Sequence, residues 1–340
     1  RTQEAAMTKT YLLTGDVGGT NSRMALYDTN SEKPLNEVYY QNQKYLPEKS
    51  DGIFENRIIA TFLKHCWEEV KGLEPAGEVE IFACLACAGP VRDNAVEMSN
   101  LKGIFIDGNA IASGKYCDDH YVARIIVCKV INDFVAQGYG CLTLQPSEVR
   151  ELTPNSGKMI DTSGPKVCVG AGTGLGECFL TPDSNGSYTC FPSEGGHTEF
   201  NPRSDLEVKL RAALMKKFVN KHRISTERVV SGPGLANVYE FLASEFPDRV
   251  DQSVHKEFLE AGDMQGKIVS VNAKEGTLCY QALQIMIRWV FFSCAFFVYS
   301  FVYGMLQCLR FGSGFGCCQM DADRWDVCDW RHHSKEHRAY

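Results

Sequence analysis

Apolar runs along this chain are interrupted twice by dense glycine clusters. Leu12 to Thr14 and Arg23 to Tyr27 flank Gly15-Asp16-Val17-Gly18-Gly19-Thr20-Asn21, while Val167 to Val169 and Cys178 to Leu180 flank Gly170-Ala171-Gly172-Thr173-Gly174-Leu175-Gly176. Short apolar runs bounded by glycine read as strands, so each cluster closes a hairpin instead of opening a helix. A third strand is expected near Val38 to Tyr40. Ser50 or Asp51 then caps a helix whose Phe54, Ile58, Phe62 and Cys66 recur every four residues, one face packing on a sheet. Glu78 to Ala88 reads as a buried strand with Val91 to Met98 as its return, and Arg124 to Ile131 as another ending at Asn132-Asp133. Further on, Asp205 to Val219 and Leu235 to Ser244 read as helices, with Ser231-Gly232-Pro233-Gly234 breaking the chain between them. The pattern predicts an α/β chain with a lobe boundary near Asp133.

Successive backbone N–H groups in glycine turns form anion-binding nests. One such turn in each half suits a polyphosphate held between two lobes, with the hydroxyls of Thr20 and Thr173 as further donors. Neither cluster has the G-x-G-x-x-G spacing of a dinucleotide fold or the Gly-Lys-Ser/Thr ending of a P-loop. An ordinary hairpin is the competing reading for either turn alone, and the matched pair weakens it. Asp16 beside the first turn is where a Mg²⁺ would be held, directly or through water.

Asp133 emerges at the end of an apolar strand, a usual place for α/β sites, and its carboxylate can take a proton from an attacking hydroxyl. The alternative role is a helix N-cap. Glu194-Gly195-Gly196-His197 sets an acid and an imidazole three apart across two glycines, a spacing that can aim both at one small polar ligand; a structural histidine is the competing reading.

Composition narrows the partners. The chain has 340 residues, a formal charge of -7 and a pI near 5.7, with no dense Lys/Arg run, so nucleic acid and anionic membranes are not expected partners. Fifteen cysteines lack a framework spacing, and many lie in apolar runs (Cys84, Cys87, Cys128, Cys168), as buried thiols do in a reducing cytosol. Cys84-x-x-Cys87 has no matching second pair and reads as core packing. Arg1 to Met7 resembles neither a signal nor a transit peptide, which makes Met7 a candidate start, and Asn185-Gly186-Ser187 reads as a turn.

These segments together resemble the bacterial-type glucokinases of the actin/hexokinase/Hsp70-like superfamily. The likeness runs from about Thr10 to about Ile287 and rests on both glycine clusters, Ile131-Asn132-Asp133-Phe134, Glu194-Gly195-Gly196-His197 and Glu227-Arg228-Val229-Val230-Ser231-Gly232-Pro233-Gly234. The resemblance implies a two-lobed actin-like (ribonuclease H-like) α/β fold with a cleft between lobes. A small lobe would cover 8–133 and a large lobe 134–287. It implies ATP-dependent phosphorylation of glucose to glucose 6-phosphate, with Asp133 as general base on the 6-hydroxyl and Asn100, Asn132, Asp133, Glu194, His197 and Glu227 gripping the sugar. Gly15, Asp16, Val17, Gly18, Gly19 and Thr20, with Gly172, Thr173, Gly174 and Gly176, would contact ATP, and Asp16 would organise Mg²⁺. The scattered thiols and the want of a targeting peptide point to a cytoplasmic protein, with a homodimer as the candidate assembly. The related repressor/open-reading-frame/kinase group carries a cysteine-rich zinc motif just after the equivalent of His197; here His-Thr-Glu-Phe-Asn-Pro begins at His197, and zinc is not expected.

Past Ile287 the likeness stops. Trp289 to Leu309 is a charge-free run rich in Phe and Tyr, followed by Gly312-Ser313-Gly314-Phe315-Gly316-Cys317-Cys318 and a polar tail, so 288–340 reads as atypical. About 20 apolar residues suffice to cross a bilayer, but the abrupt change of composition favours translated intron or a shifted frame over an anchor. The alternative functional reading is therefore a catalytically impaired sugar-binding or regulatory protein of the same fold.

Overall fold

Burial alternates residue by residue along Lys9–Val17 (β1), with Tyr11, Leu13 and Val17 facing inward, so one face of the strand packs on the core. The computed structural model describes residues 8–46, 51–70, 73, 79–98, 101, 103–149, 163–219 and 222–290. Asn21–Asp28 (β2) returns antiparallel to β1, and Asn36–Gln41 (β3) pairs with β2. Val79–Cys87 (β4) runs parallel to β1 on its other side, and Ile125–Asn132 (β7) runs parallel to β4, giving the order β3-β2-β1-β4-β7. Asn42–Tyr45 (α1) follows β3, and a helical stretch from Ile53 passes through a π-helical turn into Ala60–Glu69 (α2). Phe54, Ile58, Phe62 and Cys66 are fully buried against this sheet, as their four-residue recurrence predicts. Burial of a side chain such as Phe62 contributes roughly 2 to 3 kcal/mol. Ser50 lies outside the described residues, and Asp51 contributes no capping hydrogen bond.

Two expectations fail locally. Val91 to Met98 does not return along β4. Gly89, Asp93 and Asn94 all take positive φ, which bends the chain off the sheet, and Ala95–Glu97 (β5) pairs instead with Phe105–Asp107 (β6) in a separate two-stranded ribbon. That leaves the edge of β4 open for β7. Gly108–Ser113 (α3) follows, its first N–H groups capped by Asp107. The second is at Ser231-Gly232-Pro233-Gly234, which lies between the two helices as expected but already forms the first turn of the second, so that helix begins at Gly232 and not at Leu235. Ser231 Oγ accepts the Gly234 N–H at 2.8 Å, and Pro233 needs no hydrogen-bond donor in a first turn, so Gly232–Glu245 (α6) starts there.

Asp133–Cys141 (α4) leaves the end of β7 and packs against both β4 and a second sheet. That sheet is antiparallel, β10-β9-β8, formed by Lys166–Ala171 (β8), Leu175–Pro182 (β9) and Tyr188–Ser193 (β10). Val135 of α4 joins Cys178, Leu180 and Cys190 in its core. Asp205–Lys217 (α5), α6, Gln252–Glu260 (α7), Gln265–Val271 (α8) and a helix over 278–290 complete the described chain. No described helix is long and apolar enough to cross a membrane. Most of Trp289 to Leu309, and all that follows it, lies outside the described residues.

Candidate active site

Parallel pairing sets the first half of the site. Val17 of β1 lies beside Cys87 of β4, which lies beside Asn132 of β7, so Asp16 and Asp133 emerge at one edge of the sheet. The first glycine turn is the three residues Gly18-Gly19-Thr20, closed by Gly18 N–H donating to the Asn21 carbonyl at 3.0 Å. The N–H groups of Gly19 and Thr20 carry no hydrogen bond among the described residues. Two buried side chains brace this turn. Asn42 Nδ2 donates to the Gly18 carbonyl at 2.7 Å and Asn42 N to the Thr20 carbonyl at 2.9 Å, while Ser22 Oγ donates to Asn42 Oδ1 at 2.7 Å. The sequence reading missed Ser22 and Asn42. Their pairing spans twenty positions, and the only available signal was a polar residue in the inward register of each segment.

Gly15 and Val17 sit inside β1, not in the turn. Val17 is fully buried, and a β-carbon on Gly15 would lie 2.7 Å from Leu85 Cδ2, so both positions serve packing. Asp16, Gly18, Gly19 and Thr20 remain at the surface of the edge.

Asn132, not Asp133, is the N-cap of α4. Its Oδ1 accepts the N–H groups of Phe134 at 3.0 Å and Val135 at 3.3 Å, and its Nδ2 donates to the Gly89 carbonyl at 3.2 Å. Asp133 occupies the first helical position. Half burial pushes its carboxyl above the usual aspartate range; the Phe134 N–H, donating to Asp133 Oδ1 at 2.9 Å, opposes the shift, and the charge of Asp16 adds to it.

The second turn, Gly172-Thr173-Gly174, joins β8 to β9. Gly172 N–H donates to the Gly174 carbonyl at 2.9 Å, and Gly232 N–H, from the start of α6, donates to the Gly172 carbonyl at 2.8 Å. Thr173 and Gly174 keep N–H groups without a hydrogen bond among the described residues. Gly176 belongs to β9 and not to the turn. The Phe134 ring lies over it so closely that a β-carbon there would fall 1.8 Å from the ring, and one on Gly170 would fall 2.9 Å from it. The residue after Asp133 is thus seated on the hairpin that carries the second turn.

Glu194, His197 and Glu227 come together beside that turn. His197 Nε2 is 3.5 Å from Glu194 Oε2 and Nδ1 is 3.4 Å from Glu227 Oε1; Ser225 Oγ also donates to Glu227 Oε1, at 3.3 Å. A β-carbon on Gly174 would lie 3.0 Å from Glu227 Oε2. Close approach explains the two glycines at 195 and 196. Side chains there would strike Glu177 Oε2 at 1.9 Å and the Leu175 carbonyl at 2.1 Å. Glu177 is a buried carboxyl under this turn whose Oε1 has no partner among the described residues, and burial raises its pKa. It also escaped the sequence reading, its one signal being an acid within an apolar strand. Asn100 lies outside the described residues. Among the described residues no group of three or more His, Cys, Asp or Glu is arranged to hold a metal ion.

The glucokinase family model matches residues 13–294. The chain belongs to the glucokinase family. Its relatives include a glucokinase of Synechocystis sp., 38% identical over 244 residues that make up 70% of this chain and 62% of that protein. A glucokinase of Nostoc sp. is 34% identical over 295 residues, 82% of this chain and 77% of that one. The chain thus spans about three fifths of the Synechocystis relative's length. Among solved structures, glucokinase from an Antarctic psychrotroph aligns with a TM-score of 0.54 at 22% identity, covering 82% of this chain and 76% of that one. The glucokinase of Balamuthia mandrillaris in complex with glucose aligns with a TM-score of 0.54 at 20% identity, covering 83% and 74%. At such identities the two alignments speak for the fold alone, the two-lobed α/β kinase fold. The family match ends near the point where the sequence resemblance fades.

Proposed function

We propose that the chain transfers the γ-phosphoryl group of ATP to the 6-hydroxyl of glucose, with Asp133 as the general base. The observation that supports this most directly is the setting of Asp133. Half-buried, with a raised pKa, it stands at the sheet edge that also carries Asp16 and the first turn, and Phe134 beside it is seated on the hairpin of the second turn. A raised pKa makes the carboxylate a stronger proton acceptor. Phosphoryl transfer otherwise asks mainly for positioning and charge stabilisation.

In this reading the free amides of Gly19 and Thr20 and of Thr173 and Gly174 receive phosphate oxygens. Glu194, His197 and Glu227 pair with sugar hydroxyls, and Asn100 and the remaining Nδ2 hydrogen of Asn132 complete the set. Glucose is supported as substrate by the family match and by the glucokinases of Synechocystis and Nostoc among its relatives. Asp16 is exposed, and its carboxylate makes no hydrogen bond or ion pair among the described residues, while its charge raises the pKa of Asp133. Such an uncompensated carboxylate fits a hard divalent cation that keeps several waters. Mg²⁺ held there would neutralise phosphate charge. The two lobes, meeting at Asp133, would close to exclude water. Scattered, largely buried free thiols support a cytoplasmic setting.

Glucose 6-phosphate formation by the full chain, followed in a coupled assay with ATP and Mg²⁺, is the deciding measurement. Turnover should fall by about 10² to 10⁴ in Asp133→Asn, with glucose binding retained by calorimetry. Turnover that survives the substitution removes Asp133 from its role, and absence of turnover in the unmodified chain overturns the reading.

A further inference from the structure

Four cysteines gather on the side of α4 away from Asp133, where the helix lies on the three-stranded sheet. Cys141 ends the helix and is exposed, and its Sγ lies 3.8 Å from the Sγ of half-buried Cys168 in β8. Cys168 stands opposite Cys178 in the β8–β9 register. Cys178 and Cys190 are buried and crowd Gly138 of α4, where a β-carbon would lie 2.7 Å from either sulfur. None of these thiols contributes to the candidate active site.

We propose that Cys141 and Cys168 form an oxidisable pair that closes to a disulfide on reaction with a low-molecular-weight disulfide. The link ties the far end of the helix that begins at Asp133 to the strand that feeds the Gly172 turn. Bonded sulfurs lie about 2.05 Å apart, and at 3.8 Å the two Sγ atoms are already in van der Waals contact, positioned for that bond. Exposure makes Cys141 the entry point, because a small disulfide must reach the attacking sulfur. Burial raises the thiols of Cys168, Cys178 and Cys190 and screens the last two from solvent.

The chemistry balances in two exchanges. Cys141 sulfur, as thiolate, attacks one sulfur of the small disulfide, the S–S bond breaks, and the leaving thiolate takes up the proton Cys141 lost. Cys168 sulfur then attacks Cys141 sulfur, expelling the second small thiol with the proton from Cys168. The two protein thiols lose two electrons and the small disulfide is reduced to two thiols. With the link closed, α4 and β8 are fastened at one end by sulfur and held at the other by the Phe134 ring on Gly170 and Gly176. This inference does not rest on the kinase reading.

The test uses the full chain, reduced, desalted, exposed to oxidised glutathione, alkylated and mapped by non-reducing peptide mass spectrometry. A Cys141–Cys168 linked peptide that dithiothreitol removes is the expected product. In Cys168→Ser glutathione should remain on Cys141, and in Cys141→Ser the link should vanish while Cys168 stays reduced. A stable glutathione adduct on Cys141 of the unmodified chain overturns the proposal. So does a link from Cys168 to Cys178 in place of Cys141, or recovery of Cys141 as the free thiol.

Discussion

The two glycine turns each present a pair of amides without a hydrogen bond among the described residues, but they are held in unlike ways. The first depends on Asn42, whose buried side chain, fixed by Ser22, holds the Gly18 carbonyl while its main-chain N–H holds that of Thr20. The second depends on main chain, with Gly232 N–H fixing the Gly172 carbonyl and the glycines on either side of the turn forming a notch for Phe134. Glycine therefore means different things in the two clusters. In the first, Gly15 is packed into the sheet core; in the second, Gly170 and Gly176 make room for an aromatic ring, and only Gly172 and Gly174 shape the turn.

Substitutions can break this contrast. Gly176→Ala should have the largest effect on stability, about 3 kcal/mol, because its methyl group would overlap Phe134. Denaturant unfolding measures it, and the cost should shrink in a Phe134→Ala background, since the two residues share one contact. A full cost in that background would show that the notch does not exist. Ser22→Ala comes next, at about 1 to 2 kcal/mol, because Asn42 Oδ1 is left buried without its donor; an unchanged unfolding midpoint would mean that the first turn holds itself.

The pH dependence of Asp133 offers a finer probe. A carboxyl whose pKa is higher folded than unfolded binds more protons in the folded state, so its contribution to stability falls as pH rises from the ordinary aspartate value of 3.8 through the raised one. Asp133→Asn should therefore be more thermostable than the unmodified chain above that window, with the gain absent below it. Melting temperatures across the acid range check the sign, and a variant that gains nothing at neutral pH contradicts the raised pKa. Asp16→Asn should lower the acid limb of any pH–rate profile, since the charge of Asp16 is one cause of the shift. Smallest of all is Gly172→Ala, within about 0.5 kcal/mol, since no atom lies within 4 Å of its would-be β-carbon. A large loss there would make Gly172 the equal of Gly176.

The elements that carry the two turns are largely legible in the sequence, but the way each turn is held is not. Local apolar patterning gave both hairpins, β4 and the recurrence that packs α2, whereas Arg124 to Ile131, expected as a buried strand, forms the sheet's edge with Ile126 and Val127 exposed. What remained hidden depends on distant partners. Ser22 and Asn42 look like ordinary surface polars until β2 and α1 come together, and nothing near Gly176 announces that a ring forty-two positions earlier will cover it. The pairing of β5 with β6 was lost because the bend at Asp93 and Asn94 uses residues other than glycine at positive φ. Asn132 and Asp133 were harder still. Both residue types cap helices well, and only the backbone position decides which carboxyl or amide oxygen meets the Phe134 and Val135 N–H groups.

The adjacency of Asp133 and Phe134 has a consequence for variation among related chains. Consecutive α-carbons are about 3.8 Å apart, so an acid whose neighbour is wedged into the opposite hairpin inherits its aim from that wedge. Volume added at position 170 or 176 would tilt the carboxyl before it unfolded the sheet. Ring size at 134 and smallness at those two positions should therefore drift only in concert, and a chimera exchanging one hairpin alone should fold and yet turn over slowly.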